Sequence, residues 1–81
     1  MLYRNDTNDL IYKRESDGKQ FFLMEGMTVG YQAEKKSYDV IIVYEYDDGK
    51  KDFGKAVTWF YGASFADDAD TLLADLKEFV G

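Results

Sequence analysis

Apolar residues come in short, strand-like blocks over the first sixty positions and then switch to a helical period of three to four. Leu10 to Arg14 is the first block and reads as a strand. Ser16-Asp17-Gly18-Lys19 follows, and Asp-Gly there predicts a type I′ hairpin turn, whose two central residues both need positive φ. Phe21 to Met24 is the return strand. Met27, Val29 and Tyr31 then alternate with Thr28, Gly30 and Gln32, which is strand periodicity, and Gly26 and Gly30 mark a bulge, a bend or an edge. Ala33 to Ser37 is a polar connection.

Tyr38 to Tyr46 is the strongest strand in the chain, because Val40-Ile41-Ile42-Val43-Tyr44 is β-branched or aromatic throughout. Asp47-Asp48-Gly49-Lys50 is a second Asp-Gly turn. Lys51 to Tyr61 returns, with Gly54 as a bulge position, and Gly62-Ala63 breaks the strand. Ser64 is then placed to cap a helix, with Asp67 three residues on, close to a capping-box pattern. At about 100° per residue, Phe65, Ala69, Leu72, Leu73, Leu76, Phe79 and Val80 share one side as far as Val80. Asp67, Asp68, Asp70, Asp75, Lys77 and Glu78 share the other. The expected fold is α+β in one domain over residues 1–81. It is an antiparallel meander sheet of four to five strands with one C-terminal amphipathic helix packed on one face.

That arrangement leaves a surplus of apolar surface. Val40, Ile42, Tyr44 and Tyr46 point one way, and Ile41 and Val43 the other, with Glu45. On the partner strand Val57, Trp59 and Tyr61 oppose Ala56, Thr58 and Phe60. A half-exposed antiparallel strand normally alternates apolar with polar residues, and one helix covers one face only. Either the N-terminal hairpin folds over the second face, or its tyrosines face water with their hydroxyls wet, or that face is an interface centred on Tyr44, Tyr46, Trp59 and Tyr61.

Composition narrows the chemistry. There is no Cys and no His, which removes disulfides, thiolate metal sites, the Cys nucleophile and the commonest general base. A chain of 81 residues must then be stabilised by apolar burial, to which seven Tyr, six Phe and Trp59 contribute. No nucleophile elbow, P-loop or zinc motif is present, so the expectation is a protein with no catalytic residues, cofactor or metal. Asp47 to Asp52 lacks the ligand spacing and terminal Glu of a calcium loop, and a turn is the simpler reading there and over Asn5 to Asp9. No apolar run suits a signal peptide or a membrane span, which gives an expectation of a cytoplasmic protein with no membrane partner.

Sixteen acids against ten bases give a net charge of -6. Residues 65 to 81 hold five acids and one base, so they supply -4 of it. Acids in a first helical turn are favoured by the helix dipole, which accounts for Asp67, Asp68 and Asp70 but not for Asp75 and Glu78. The first 64 residues have no positive excess, so direct nucleic-acid binding is not expected.

A compact anionic domain suits a basic protein partner, including a nucleic-acid-handling protein whose groove it occupies as an inhibitor, decoy or DNA mimic. Anti-restriction and anti-CRISPR proteins of phages and mobile elements work in this way, and the likeness is one of size, charge and compactness. The contacting acids would be Asp47, Asp48, Asp52, Asp67, Asp68, Asp70, Asp75 and Glu78. Tyr44, Tyr46, Trp59 and Tyr61 would supply the apolar anchor. The alternative is a structural or adaptor domain that forms a homodimer through the apolar face or an edge of its sheet.

Overall fold

The computed structural model describes the backbone of residues 1–31, 36–63, 65 and 68–81, and their side chains except for 27–31 and 36–39. Five strands form one antiparallel meander in the order of the sequence: β1 (Leu2–Arg4), β2 (Leu10–Lys13), β3 (Gln20–Tyr31), β4 (Lys36–Asp47) and β5 (Asp52–Gly62). The helix α1 (Ala69–Phe79) follows. The α+β architecture expected from the periodicity is the one observed, with the helix packed on one face of the sheet.

Three details differ from the sequence expectation. The three residues of β1 form an additional strand, pairing Tyr3 with Ile11. The two blocks on either side of Gly26 are one strand, β3, whose register to β4 shifts between Glu25 and Thr28. A Cβ at position 26 would lie 3.1 Å from the Val40 carbonyl oxygen, a tight contact that disfavours a side chain where β4 approaches this closely. β5 ends at Gly62, so the break expected at Gly62-Ala63 is the one observed. The helix begins later than a cap at Ser64 requires, and Ser64 itself lies outside the described residues. Asp68 is the N-cap, accepting from the Thr71 backbone N–H at 3.0 Å and from the Thr71 hydroxyl.

The turns also depart from the simplest type. Gly18 has positive φ (73°), but among the described residues Asp17 does not, so the β2–β3 connection is not a type I′ turn. It is a longer loop, closed by the Arg14 N–H on the Lys19 carbonyl and the Gly18 N–H on the Arg14 carbonyl. In the β4–β5 turn the left-handed residue is Lys51 (φ 54°), and the Asp47 carboxylate accepts the Gly49 and Lys50 N–H groups.

The core lies between the helix and one sheet face. Leu10 and Tyr12 of β2, Phe21 and Leu23 of β3, Ile41 and Val43 of β4, and Phe60 of β5 meet Leu72 and Leu76 of α1. Each apolar side chain buried in this way stabilises the fold by about 1.5–3 kcal/mol relative to exposure. Phe79 stays half in water yet stacks on Phe60 at 4.9 Å. The Tyr12 hydroxyl donates to the Gly81 carbonyl at 2.9 Å, and Arg14 donates to the Val80 carbonyl, which ties the end of the helix to the β2–β3 loop. Among the described residues no buried side-chain polar atom lacks a partner. No described helix is long and apolar enough to cross a membrane.

Candidate interaction surface

The second face of the sheet is built from alternate positions of three strands. Ladder partners point to the same side, so Phe22 with Tyr44, Met24 with Ile42, Ile42 with Trp59, Val40 with Tyr61 and Tyr46 with Phe53 define it row by row. Extra residues in β5 shift the register between Val43 and Tyr44 and between Tyr44 and Tyr46. Phe53 reaches this face as the ladder partner of Tyr46, and Val57, which has no ladder partner, follows the alternation of Trp59 and Tyr61. The rings interlock at one end. Phe53 stacks on Phe22 at 4.8 Å and meets Tyr44 at 5.0 Å, while Phe22 stacks on Tyr46 at 6.4 Å.

The N-terminal segment covers one flank of this face. Tyr3 crosses β2 to donate to the Gln20 side chain at 2.9 Å, and the Asn5 amide donates to the Tyr46 hydroxyl at 3.1 Å. Burial, then the Asp48 carboxylate, raise the Tyr3 phenol above its ordinary pKa. Asn5 is held by its own loop, since its side-chain oxygen accepts the Thr7 and Asp9 N–H groups. Ile11, beneath Tyr3, is wholly buried as a result.

The other flank is bare among the described residues. Met24, Phe53, Val57, Trp59 and Tyr61 are 38, 43, 50, 58 and 59% exposed. Aromatic side chains carry about 150–250 Å² each, so the exposed parts of Phe53, Trp59 and Tyr61 alone leave roughly 300 Å² of ring surface in water. Trp59 and Tyr61 lie edge to face at 5.4 Å, which fixes their orientation. Scattered surface hydrophobics are ordinary, and here several of them share one face of the sheet, with Val57, Trp59 and Tyr61 in alternate positions of one strand.

The twelve residues expected at the site fall into two groups. Asp47, Asp48, Asp52, Tyr44, Tyr46, Trp59 and Tyr61 all lie on the β4–β5 hairpin. Asp68, Asp70, Asp75 and Glu78 lie on the helix, on the far side of the sheet, and Asp67 lies outside the described residues. A single flat partner therefore cannot touch the helix acids and the exposed rings together. Met24, Phe53 and Val57 also stand exposed on this face; the sequence alternation puts Val57 beside Trp59 and Tyr61 without naming it at the centre, and Met24 and Phe53 are not picked out by it. The signal for Phe53 is its place opposite Tyr46 across the β4–β5 turn, in the same alternation as Trp59.

The acids differ in what they do. In the sheet and its turns most are paired: Asp17 with Arg14, Glu45 with Lys19, Glu25 with Arg4, and both Asp48 and Asp6 with Lys51. Asp47 organises its turn, Asp52 accepts the neighbouring Phe53 N–H, and Asp68 caps the helix. Asp75 is half-buried; burial, then the neighbouring Glu78, raise its pKa. Asp70 and Glu78 are exposed and pair with no base among the described residues. From Tyr44 to Tyr61 four acids (Glu45, Asp47, Asp48, Asp52) meet three lysines (Lys50, Lys51, Lys55), so the hairpin is close to neutral in a chain of net charge -6.

Comparison with protein-family models, with curated proteins and with solved structures finds no match for this chain.

Proposed function

We propose that this protein is a non-enzymatic protein-binding domain whose contact surface is the bare flank of the β4–β5 hairpin. The observation that carries the reading is the exposed apolar row Val57, Trp59 and Tyr61, backed by Met24 and Phe53, on a face that the helix does not cover. Tyr and Trp in such a position bring large rigid contact area at low conformational cost. A partner seated there would cover Trp59, the sole tryptophan, so its fluorescence reports binding directly.

A second reading, the acidic decoy, is favoured by a different observation. Asp70 and Glu78 stand exposed on α1 and form no ion pair among the described residues, whereas Asp6, Asp17, Glu25, Glu45 and Asp48 of the sheet and its turns are paired. An unpaired anionic helix face would steer the domain to a basic groove of a nucleic-acid-handling protein. The two readings are separated by comparing captured partners of wild-type protein, Trp59→Ser, and Asp70→Lys with Glu78→Lys. Loss of a partner on Trp59→Ser, with retention on the charge reversal, supports the hairpin surface. Loss only on charge reversal, together with release by salt, overturns it in favour of the decoy.

A further inference from the structure

Resting on the reading that the bare hairpin flank binds protein, we infer that its occupant is a second copy of this chain, packed face to face about a twofold axis near Trp59. Charge is the first argument. Among the described side chains, the second-face positions of β3 (Gln20, Phe22, Met24), β4 (Val40, Ile42, Tyr44, Tyr46) and β5 (Phe53, Val57, Trp59, Tyr61) hold no carboxylate and no cation, and the tyrosine phenols are their only ionisable groups; on the covered flank the ladder partner of Gln20 is Lys13 of β2. A basic partner would find no carboxylate among them, and an acidic partner no cation. At a twofold each residue near the axis meets its own copy, so an isologous interface requires an uncharged centre, which this face has.

The remaining charge is placed so as not to oppose the pairing. Residues 68 to 81 hold four acids (Asp68, Asp70, Asp75, Glu78) and one base (Lys77), a net -3, and they lie on the opposite side of the sheet. In a face-to-face pair the order of layers is helix, sheet, sheet, helix. With sheets about 10 Å apart and a helix layer of similar depth, the two acidic helices are roughly 30 Å from each other. That exceeds the screening length of about 8 Å at physiological salt, so their repulsion is small.

Area and edge geometry select the face over the edge. The exposed rings supply roughly 300 Å² per copy, and Val57 and Met24 add to it. The total over two copies reaches about 1,000 Å², the lower end of specific interfaces, which fits a reversible dimer. β5 is also the last strand of the sheet, but it carries register irregularities and Lys55, the devices by which natural edges are blunted against strand addition.

The test is sedimentation of the full chain over a range of concentrations, at about 0.05 and 0.5 M salt. The expected result is a monomer–dimer equilibrium that salt leaves unchanged or strengthens, with Trp59 emission shifting to the blue as the dimer forms. Trp59→Ser and Val57→Lys should each weaken it by about 30-fold or more while retaining the wild-type circular dichroism. Dilution of the wild type alone tests the equilibrium if a variant fails to fold. A wild-type chain that stays monomeric, or a dimer indifferent to both substitutions, overturns the proposal. A photo-crosslinking amino acid at position 57, used in cells, separates the two levels. An adduct to a second copy supports the inference. An adduct to another protein overturns the second copy and leaves the hairpin surface standing, and no adduct overturns both.

Discussion

Trp59 and Phe60 are consecutive in β5 and lie on opposite faces of the sheet, 58% and 5% exposed. The helix explains the difference, since Phe60 meets Leu72 and Leu76 while Trp59 faces away from them. Phe60→Ala is therefore expected to cost about 3–5 kcal/mol through lost burial and a cavity. Trp59→Ser is expected to cost about 1 kcal/mol or less, chiefly from lost contact with Tyr61. Urea unfolding of both variants checks this. Equal losses would show that Trp59 is part of the core, and the contact surface proposed for it would then be lost.

Asp68 has a structural duty that limits what it offers a partner. Its carboxylate caps α1 through Thr71. Asp68→Ala should destabilise by about 0.5–2 kcal/mol, and Asp68→Asn, which keeps an acceptor, by much less. Thermal melts of the two variants give the comparison. If Asn and Ala are equally damaging, charge at the helix N-terminus matters more than the hydrogen bond.

Gly62 allows the end of β5 to lie close to the helix. A Cβ there would sit 2.8 Å from the Phe60 ring and 3.3 Å from a carboxylate oxygen of Asp75. The Phe60 ring is buried and has little room to move. Gly62→Ala should thus cost about 1–3 kcal/mol by overpacking, despite the gain in strand entropy. A denaturation midpoint at or above that of the wild type would show that the ring can yield.

The parts of this fold that a pattern determines were legible in the chain. Val40 to Tyr46 reads as a strand because β-branched and aromatic residues fill it, and its two faces are the ones observed. Leu72 and Leu76 fall on the buried stripe for the same reason. What failed were features decided by competition or by distant contacts. Ser64 and Asp68 are both good caps, and nothing local ranks Asp68-Thr71 above Ser64-Asp67. β1 is three residues long and is held by pairing with β2, which its own composition does not announce. The site divided because the side of the sheet on which α1 lies is set by packing onto Leu23, Ile41 and Phe60, not by the order of residues in the chain. Asp75 looked like surface from its helical angle, yet the sheet it leans on half-buries it.

Two carboxylates should respond to pH with opposite sign. Arg14 hydrogen-bonds Asp17 at 2.7 Å, and this bond, helped by the Lys19 N–H, lowers the Asp17 pKa from 3.8 to about 2. Its folded value lies below the unfolded one, so its contribution is present above pH 3.8 and is lost as pH falls toward 2. For Asp75 burial comes first and Glu78 second, and both raise the folded pKa above 3.8. The native state then holds that proton more tightly than the unfolded chain, so ionised Asp75 opposes folding once pH passes its raised value. Asp75→Asn should accordingly melt at or above the wild-type temperature at neutral pH, and the difference should shrink as pH falls below the ordinary carboxyl range. Arg14→Gln should return the Asp17 titration toward 3.8 and leave that of Asp75 unmoved. Carboxyl-carbon NMR titration reads both residues in one experiment. A wild-type Asp17 that titrates at the ordinary value would mean that the Arg14 contact is not held in solution, and an Asp75 shifted downward would reverse the sign argued for it.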